Sequence, residues 1–137
     1  MREMQHSLLK ADWLALINSA IEAKRHAYVP HSGYSVGSGI LDENQQISTG
    51  CNVENDAYNG THAERSAVSN MIYPNKGHQI MVVAVATRDG GRPCGDCRQH
   101  IWQFCQGDLT VPILLVDEAE KITFYTIGEL LPFPFNL

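Results

Sequence analysis

His62, Cys94 and Cys97 are three residue types that bind zinc well, and Glu64 places a carboxylate two residues beyond the first of them. A structural zinc ordinarily takes four protein ligands, whereas a catalytic zinc takes three and keeps a position open for water. Zinc acidifies such a water towards a pKa of about 7. Glu64, not counted as a ligand, is placed to take the proton and hand it to a substrate. A leaving amine needs that proton, because amide anion is too basic to depart. The set therefore suits attack of hydroxide on an amidine-like carbon and loss of ammonia.

Each part alone says little. Cys94 and Cys97 form a Cys-x-x-Cys that also serves redox pairs and structural zinc knuckles. Glu64 stands three residues after Thr61, so the two also fit a helix capping box, which would use the same carboxylate for structure. A fourth protein ligand would turn the centre into a non-catalytic one.

The elements that must carry these residues can be read from periodicity. Residues 12–28 place Trp13, Leu14, Ile17, Ala20 and Ile21 at helical spacing, and Pro30 stops that helix. Residues 34–41 read as a strand in which Gly37 and Gly39 imply a close neighbour. A turn at 42–46 and a returning strand at 47–51 make a hairpin. Polar residues 52–56 form a loop, where turn chemistry is the plain expectation. A helix follows Gly60, burying Ala63, Ala67, Val68, Met71 and Ile72. Residues 79–87 are almost continuously apolar and β-rich, as a strand covered on both faces requires. A helix spans 95–105, with Trp102 and Phe104 in the core. Strands follow at 111–116 and 122–126, and a short helix at 127–131 ends at Pro132. Strands alternating with helices predict an α/β fold, a three-layer α/β/α sandwich on a mixed five-stranded sheet. Both halves of the zinc set then sit at helix N-termini, where exposed N–H groups favour thiolates. The i, i+3 spacing lets both sulfurs reach one ion.

The 137 residues suit one domain, residues 1–137, with one core. Hydrophobic residues make up 44% and charged residues 18%, a globular mix. The net charge of −5 and the lack of a basic cluster argue against a nucleic-acid partner. The longest apolar run, 80–86, is too short for a membrane span, which leaves the cytoplasm as the expected location. There Cys51 and Cys105 are expected to be buried thiols. His26 and His31 are expected on the surface or in loops.

The order His-x-Glu and then Pro-Cys-x-x-Cys matches the signature of zinc-dependent deaminases. The longer match resembles the cytidine deaminase family, through AYVPHSGYSVG at 27–37, GCNVEN at 50–55, HAER at 62–65, PCGDCRQ at 93–99 and ELLP at 129–132 with Phe135 beyond. That resemblance implies zinc-dependent deamination of cytidine and deoxycytidine, one Zn²⁺ per subunit on His62, Cys94 and Cys97, a place in pyrimidine salvage, and a homotetramer. It implies Glu64 as the catalytic group. It places Asn52, Val53 and Glu54 in the nucleoside-binding segment, with Asn52 and Glu54 on the ribose 3′-hydroxyl. Tyr34 would line the base pocket, and backbone N–H groups near Ala63 and Cys94 would position base and hydroxide. Phe135 would enter a neighbouring subunit's site.

Three departures stand out. His62 replaces the Cys usual in small tetrameric members yet is followed by Arg65, which in Cys-type members offsets an extra thiolate. Arg65 should therefore make the bound water more acidic or turn towards Asp96 or another carboxylate. The stretch from Glu54 to His62 is one residue short of the usual length. Tyr34 stands where Phe is usual, and Pro134 separates two Phe. Deamination of a modified cytosine nucleoside such as blasticidin S is the alternative reaction, although Glu54 favours an ordinary ribose because blasticidin S deaminase carries Tyr there. A non-catalytic zinc-binding assembly protein is the alternative of a different class. For the apolar tail, docking on its own core and insertion into a partner are both open.

Overall fold

In the computed structural model, residues 2–5 and 9–137 are described. One mixed sheet runs in the order β1-β6-β5-β4-β2-β3, formed by β1 (Arg2–Met4), β2 (Gly37–Asp42), β3 (Ile47–Cys51), β4 (Ile80–Ala86), β5 (Pro112–Val116) and β6 (Ile122–Thr126). Only β4 and β5 run parallel; the other pairs are antiparallel. Among the described residues four helices complete it: α1 (Ala11–Lys24), α2 (Ala63–Ile72), α3 (Gly95–Gln103) and α4 (Ile127–Leu130).

The central strands alternate between two cores, as the period of two requires. Val83, Val85, Ile113 and Leu115 face the core shared with Val68, Met71 and Ile101 of α2 and α3. Val82, Ala84, Ala86, Leu114 and Val116 face the core built with Leu16, Ile17 and Ala20 of α1. The sheet is thus covered on both sides, and the expected three-layer sandwich is the one observed.

The sheet has six strands where five were expected. The extra one, β1, is a three-residue strand that pairs Arg2 with Phe124, Glu3 with Thr123 and Met4 with Ile122 at the outer edge. It has no apolar alternation to announce it; its partner supplies the register. Gly37 and Gly39 mark a close approach as read: the backbone of α1 at Ala20 and Lys24 lies against Gly37, and Leu16 lies against Gly39. Leu16, absent from the expected buried set of α1, is fully buried, whereas Trp13 and Ile21 pack only at its margin. Ile72 lies at the surface instead of in the core. Trp102 and Phe104 are partly buried against it. Cys105 is buried and Cys51 is half-buried, and neither forms a disulfide.

Two boundary differences shape the site. Helix α1 ends at Lys24, not at 28, because Tyr28 is drawn into a bridge with Val53. The Tyr28 N–H donates to the Asn52 carbonyl, and the Glu54 N–H donates to the Tyr28 carbonyl. Strand β2 begins at Gly37, not at 34, because the Asn52 side chain takes over the ladder there. It accepts from the Val36 N–H at 2.8 Å and donates to the Tyr34 carbonyl at 2.8 Å.

Candidate active site

The zinc-type donors arrive on two helix starts. His62 is the N-cap residue of α2, and Cys94 is the N-cap residue of α3 with Cys97 in its first turn. His62 is delivered by a tightly closed loop. Val53 and Thr61 exchange two backbone hydrogen bonds at 3.0 and 2.9 Å, which pin both ends of the loop between them. The capping box does not form. Thr61 lies outside the helix, and His62 makes no side-chain cap bond, so Glu64 is not spent on capping.

His62 Nδ1 lies 3.2 Å from Cys97 Sγ and 3.5 Å from Cys94 Sγ, and all three donor atoms lie within 4.8 Å of one another. Tetrahedral coordination at ordinary zinc bond lengths puts a nitrogen and a sulfur about 3.5 Å apart, so the cluster fits one zinc. The charges fit as well. Burial, and next the Glu64 carboxylate, push the Cys97 thiol far above its ordinary range. A buried sulfur beside an acid is an unfavourable place for a thiolate until a dication is present. Among the described residues no other group of three or more His, Cys, Asp or Glu side chains gathers in this way.

Glu64 is 5% exposed. It shares with His62 and Cys94 the lining of a cavity of about 430 Å³. That cavity brings together Tyr34, Asn52, Val53, Glu54 and Ala63 as well. Cys97 lies beneath it, fully buried. Phe135 is not part of its lining. It is 68% exposed, and its backbone is clamped to the Gln99 side chain by bonds of 2.9 and 2.8 Å. The tail does not fold onto its own core, since Phe133 is 93% exposed.

The two residues expected to hold a ribose are already engaged. Glu54 Oε1 accepts from the His31 and Ser32 N–H groups at 2.9 and 3.0 Å, and Oε2 accepts from the Ser32 hydroxyl at 2.5 Å. The Ser32 bonds, hydroxyl first, hold the Glu54 carboxyl below the usual carboxylate range. Asn52 bonds backbone at both ends of its amide, as above. A carboxylate oxygen or an amide end has room for more than one bond, so each keeps capacity towards the cavity.

Several lining residues carried no signal in the sequence. Val85, Thr87, Gly91 and Arg92 join the wall because β4 and the loop after it lead straight to Pro93 and Cys94. His31, expected as a plain loop residue, sits at the rim and packs on Tyr58 with ring centroids 4.9 Å apart. Tyr58 itself is 83% exposed. Arg65 does turn to Asp96, with its Nη1 3.3 Å from each carboxylate oxygen, so its charge is balanced beside the cluster.

Comparison with known proteins agrees with this geometry. Residues 12–112 match the model of the cytidine and deoxycytidylate deaminase zinc-binding region. A cytidine deaminase of Sporosarcina psychrophila is 37% identical over 123 residues, covering 88% of this chain and 89% of the relative. One of Mycobacterium tuberculosis is 33% identical over 128 residues, covering 92% and 91%. The crystal structure of cytidine deaminase from Burkholderia pseudomallei superposes with a TM-score of 0.79 at 30% identity, covering 96% of this chain and all of that one. With the family match spanning both zinc segments and relatives above 30% identity over most of the chain, the chain belongs to the cytidine deaminase family.

Proposed function

We propose that this protein deaminates cytidine and deoxycytidine hydrolytically, giving uridine or deoxyuridine and ammonia, with one zinc per chain. The observation that carries this reading is the single cavity in which a buried, uncapped Glu64 meets the His62, Cys94 and Cys97 cluster. The family membership supports it over most of the chain's length.

The work of each residue follows from its place. His62, Cys94 and Cys97 hold the ion, which supplies a Lewis acid that acidifies water near neutral pH. Glu64 takes one proton from the attacking water and carries it to the pyrimidine ring nitrogen, then takes the second proton of that water from the hydroxyl of the adduct and gives it to the departing amine, leaving the carbonyl of the product. Its burial keeps the transfer short and shielded from bulk solvent. Backbone N–H groups around Ala63 and Cys94 orient base and water. Glu54, fixed by Ser32 and His31, offers its remaining lone pair to a ribose hydroxyl. Asn52 shapes the same wall by holding the backbone of residues 34 and 36, and Val53 lies beside it. Tyr34 lines the far side.

Residues 1–137 act as one domain in this reading, with a free nucleoside and not a polynucleotide as substrate, in keeping with the net charge of −5. No helix among the described residues is long and apolar enough to cross a membrane, and we place the protein in the cytoplasm. The exposed rings of Phe133 and Phe135 support a homotetramer in which Phe135 completes a neighbour's pocket. A monomer with full activity in the ultracentrifuge would remove that part.

The deciding experiment measures ammonia release from cytidine, deoxycytidine and an aminoacylated cytosine nucleoside, beside zinc content. Turnover of the first two with one zinc per chain is the expected result. Turnover of the third alone would move the substrate to a modified nucleoside. Full zinc with no turnover of any would make the fold a binding module.

A further inference from the structure

A short hydrogen-bonded bridge in the cavity wall links the nucleoside side to the zinc side. The Tyr34 hydroxyl donates to Asp89 Oδ1 at 2.6 Å. The same oxygen accepts from the Thr87 hydroxyl at 3.2 Å and from the Gly91 N–H at 3.1 Å, while Thr87 Oγ1 accepts from Gly91 at 2.8 Å. Gly91 stands three residues before Cys94. On the other side, the Tyr34 N–H donates to the Ser32 hydroxyl at 3.0 Å, and its carbonyl is held by Asn52. Ser32 in turn is bonded to Glu54. Tyr34 therefore ties the wall that carries Asn52 and Glu54 to the loop that carries Cys94, 55 residues away through Asp89.

The fit at this bridge is close. A Cβ built on Gly91 would lie 2.6 Å from the Tyr34 hydroxyl oxygen, so the glycine makes room for it. Arg88 lies over the face of the same ring, 5.1 Å from its centroid. A phenol bonded to a carboxylate is a charge-assisted bond, stronger than a neutral one. Phenylalanine has no hydroxyl to make it.

We propose that Tyr34 and Asp89 form a positioning clamp that sets the register between the nucleoside wall and the zinc-side loop of the cavity. A nucleoside must touch both at once, with its sugar at Glu54 and its reacting carbon beside Glu64. Loss of the clamp leaves the sugar contacts in place and loosens only the alignment of the reacting carbon. The cost therefore falls on the chemical step and not on binding. Neither residue touches the reacting atoms.

The test rests on the deaminase reading for its kinetic arm and is independent of it in the other. Tyr34→Phe should lower kcat on cytidine about tenfold with KM changed less than about twofold, a split that uniform destabilisation does not produce. Asp89→Ala should do the same, and the double variant should be no worse than Asp89→Ala alone, because both substitutions remove the same Tyr34–Asp89 bond. Gly91→Ala should reproduce the loss by displacing the hydroxyl. Zinc content should stay at one per chain in all of them. Independently of turnover, amide hydrogen exchange at Gly91 should quicken about tenfold in Tyr34→Phe as its acceptors loosen. An unchanged kcat in Tyr34→Phe, losses that multiply in the double variant, zinc lost in parallel with activity, or unchanged exchange at Gly91 would each overturn the clamp. If the unmodified protein turns over no cytosine nucleoside, the deaminase reading fails and the Gly91 exchange alone decides.

Discussion

Glu64→Gln is the sharpest perturbation of the site, because it removes the proton carrier while keeping almost the same shape. Glu64 is 5% exposed in the first turn of α2, where bulk water cannot stand in for it. The reaction asks this one group to take a proton from water and to give one to the leaving amine. Acid–base assistance contributes roughly 10²–10⁴ for each such transfer. Losing both should lower kcat by at least about 10⁴, or about 5.5 kcal/mol of transition-state stabilisation. The metal site should survive. Glutamine carries no negative charge, and that charge is one of the groups opposing ionisation at Cys97. The assay pairs the fall in cytidine absorbance with zinc measured by mass spectrometry on the same sample. A variant with full zinc and kcat within tenfold of the parent would refute the role. Zinc lost in proportion to activity would refute it too, by making Glu64 a support of the ion.

The other predictions concern the metal, the core and pH. Cys97→Ala should reduce zinc from one per chain to almost none and abolish turnover, read by metal analysis after dialysis; retained zinc would contradict the ligand set. Ile113→Ala removes a fully buried side chain from the core beneath α2 and α3 and should cost about 2–5 kcal/mol in urea denaturation. The Glu54 carboxyl is held below its ordinary value of 4.5, so the stability it adds is complete above that pH and lost as pH falls through the lower folded value. The stability gap between the parent and Glu54→Gln should therefore be level near neutrality and begin to close only near pH 4.5. A gap that persists unchanged into acid would show that Glu54 anchors nothing through its charge. Arg65→Ala breaks an exposed pair with Asp96 and should shift stability by no more than about 1 kcal/mol.

The differences between expectation and structure share one cause. Where a side chain chose its partner locally, the pattern in the chain was enough to find it. Cys94 and Cys97 sit one helical turn apart, and His62 and Glu64 share the start of another helix. The apolar alternation of β4 and β5 is set by pairing along each strand. Where a distant segment supplied the hydrogen bonds, the pattern misled. Asn52 substitutes for ladder partners at Tyr34 and Val36, so β2 starts three residues later than its residues suggest. Tyr28 leaves a helical run because a bridge to Val53 competes for it.

The amino-acid order alone determined the donor set, the carboxylate beside it, the layered α/β plan and the family, because these rest on short spacings and on periodicity. Tertiary structure alone decided that Glu64 escapes capping, that Arg65 spends its charge on Asp96, that a short edge strand joins the sheet, and that Tyr34 meets Asp89, 55 residues away. Those pairings join residues far apart in the chain. Whether two such groups meet depends on how the packed sheet and helices bring their backbones together, which no local pattern encodes.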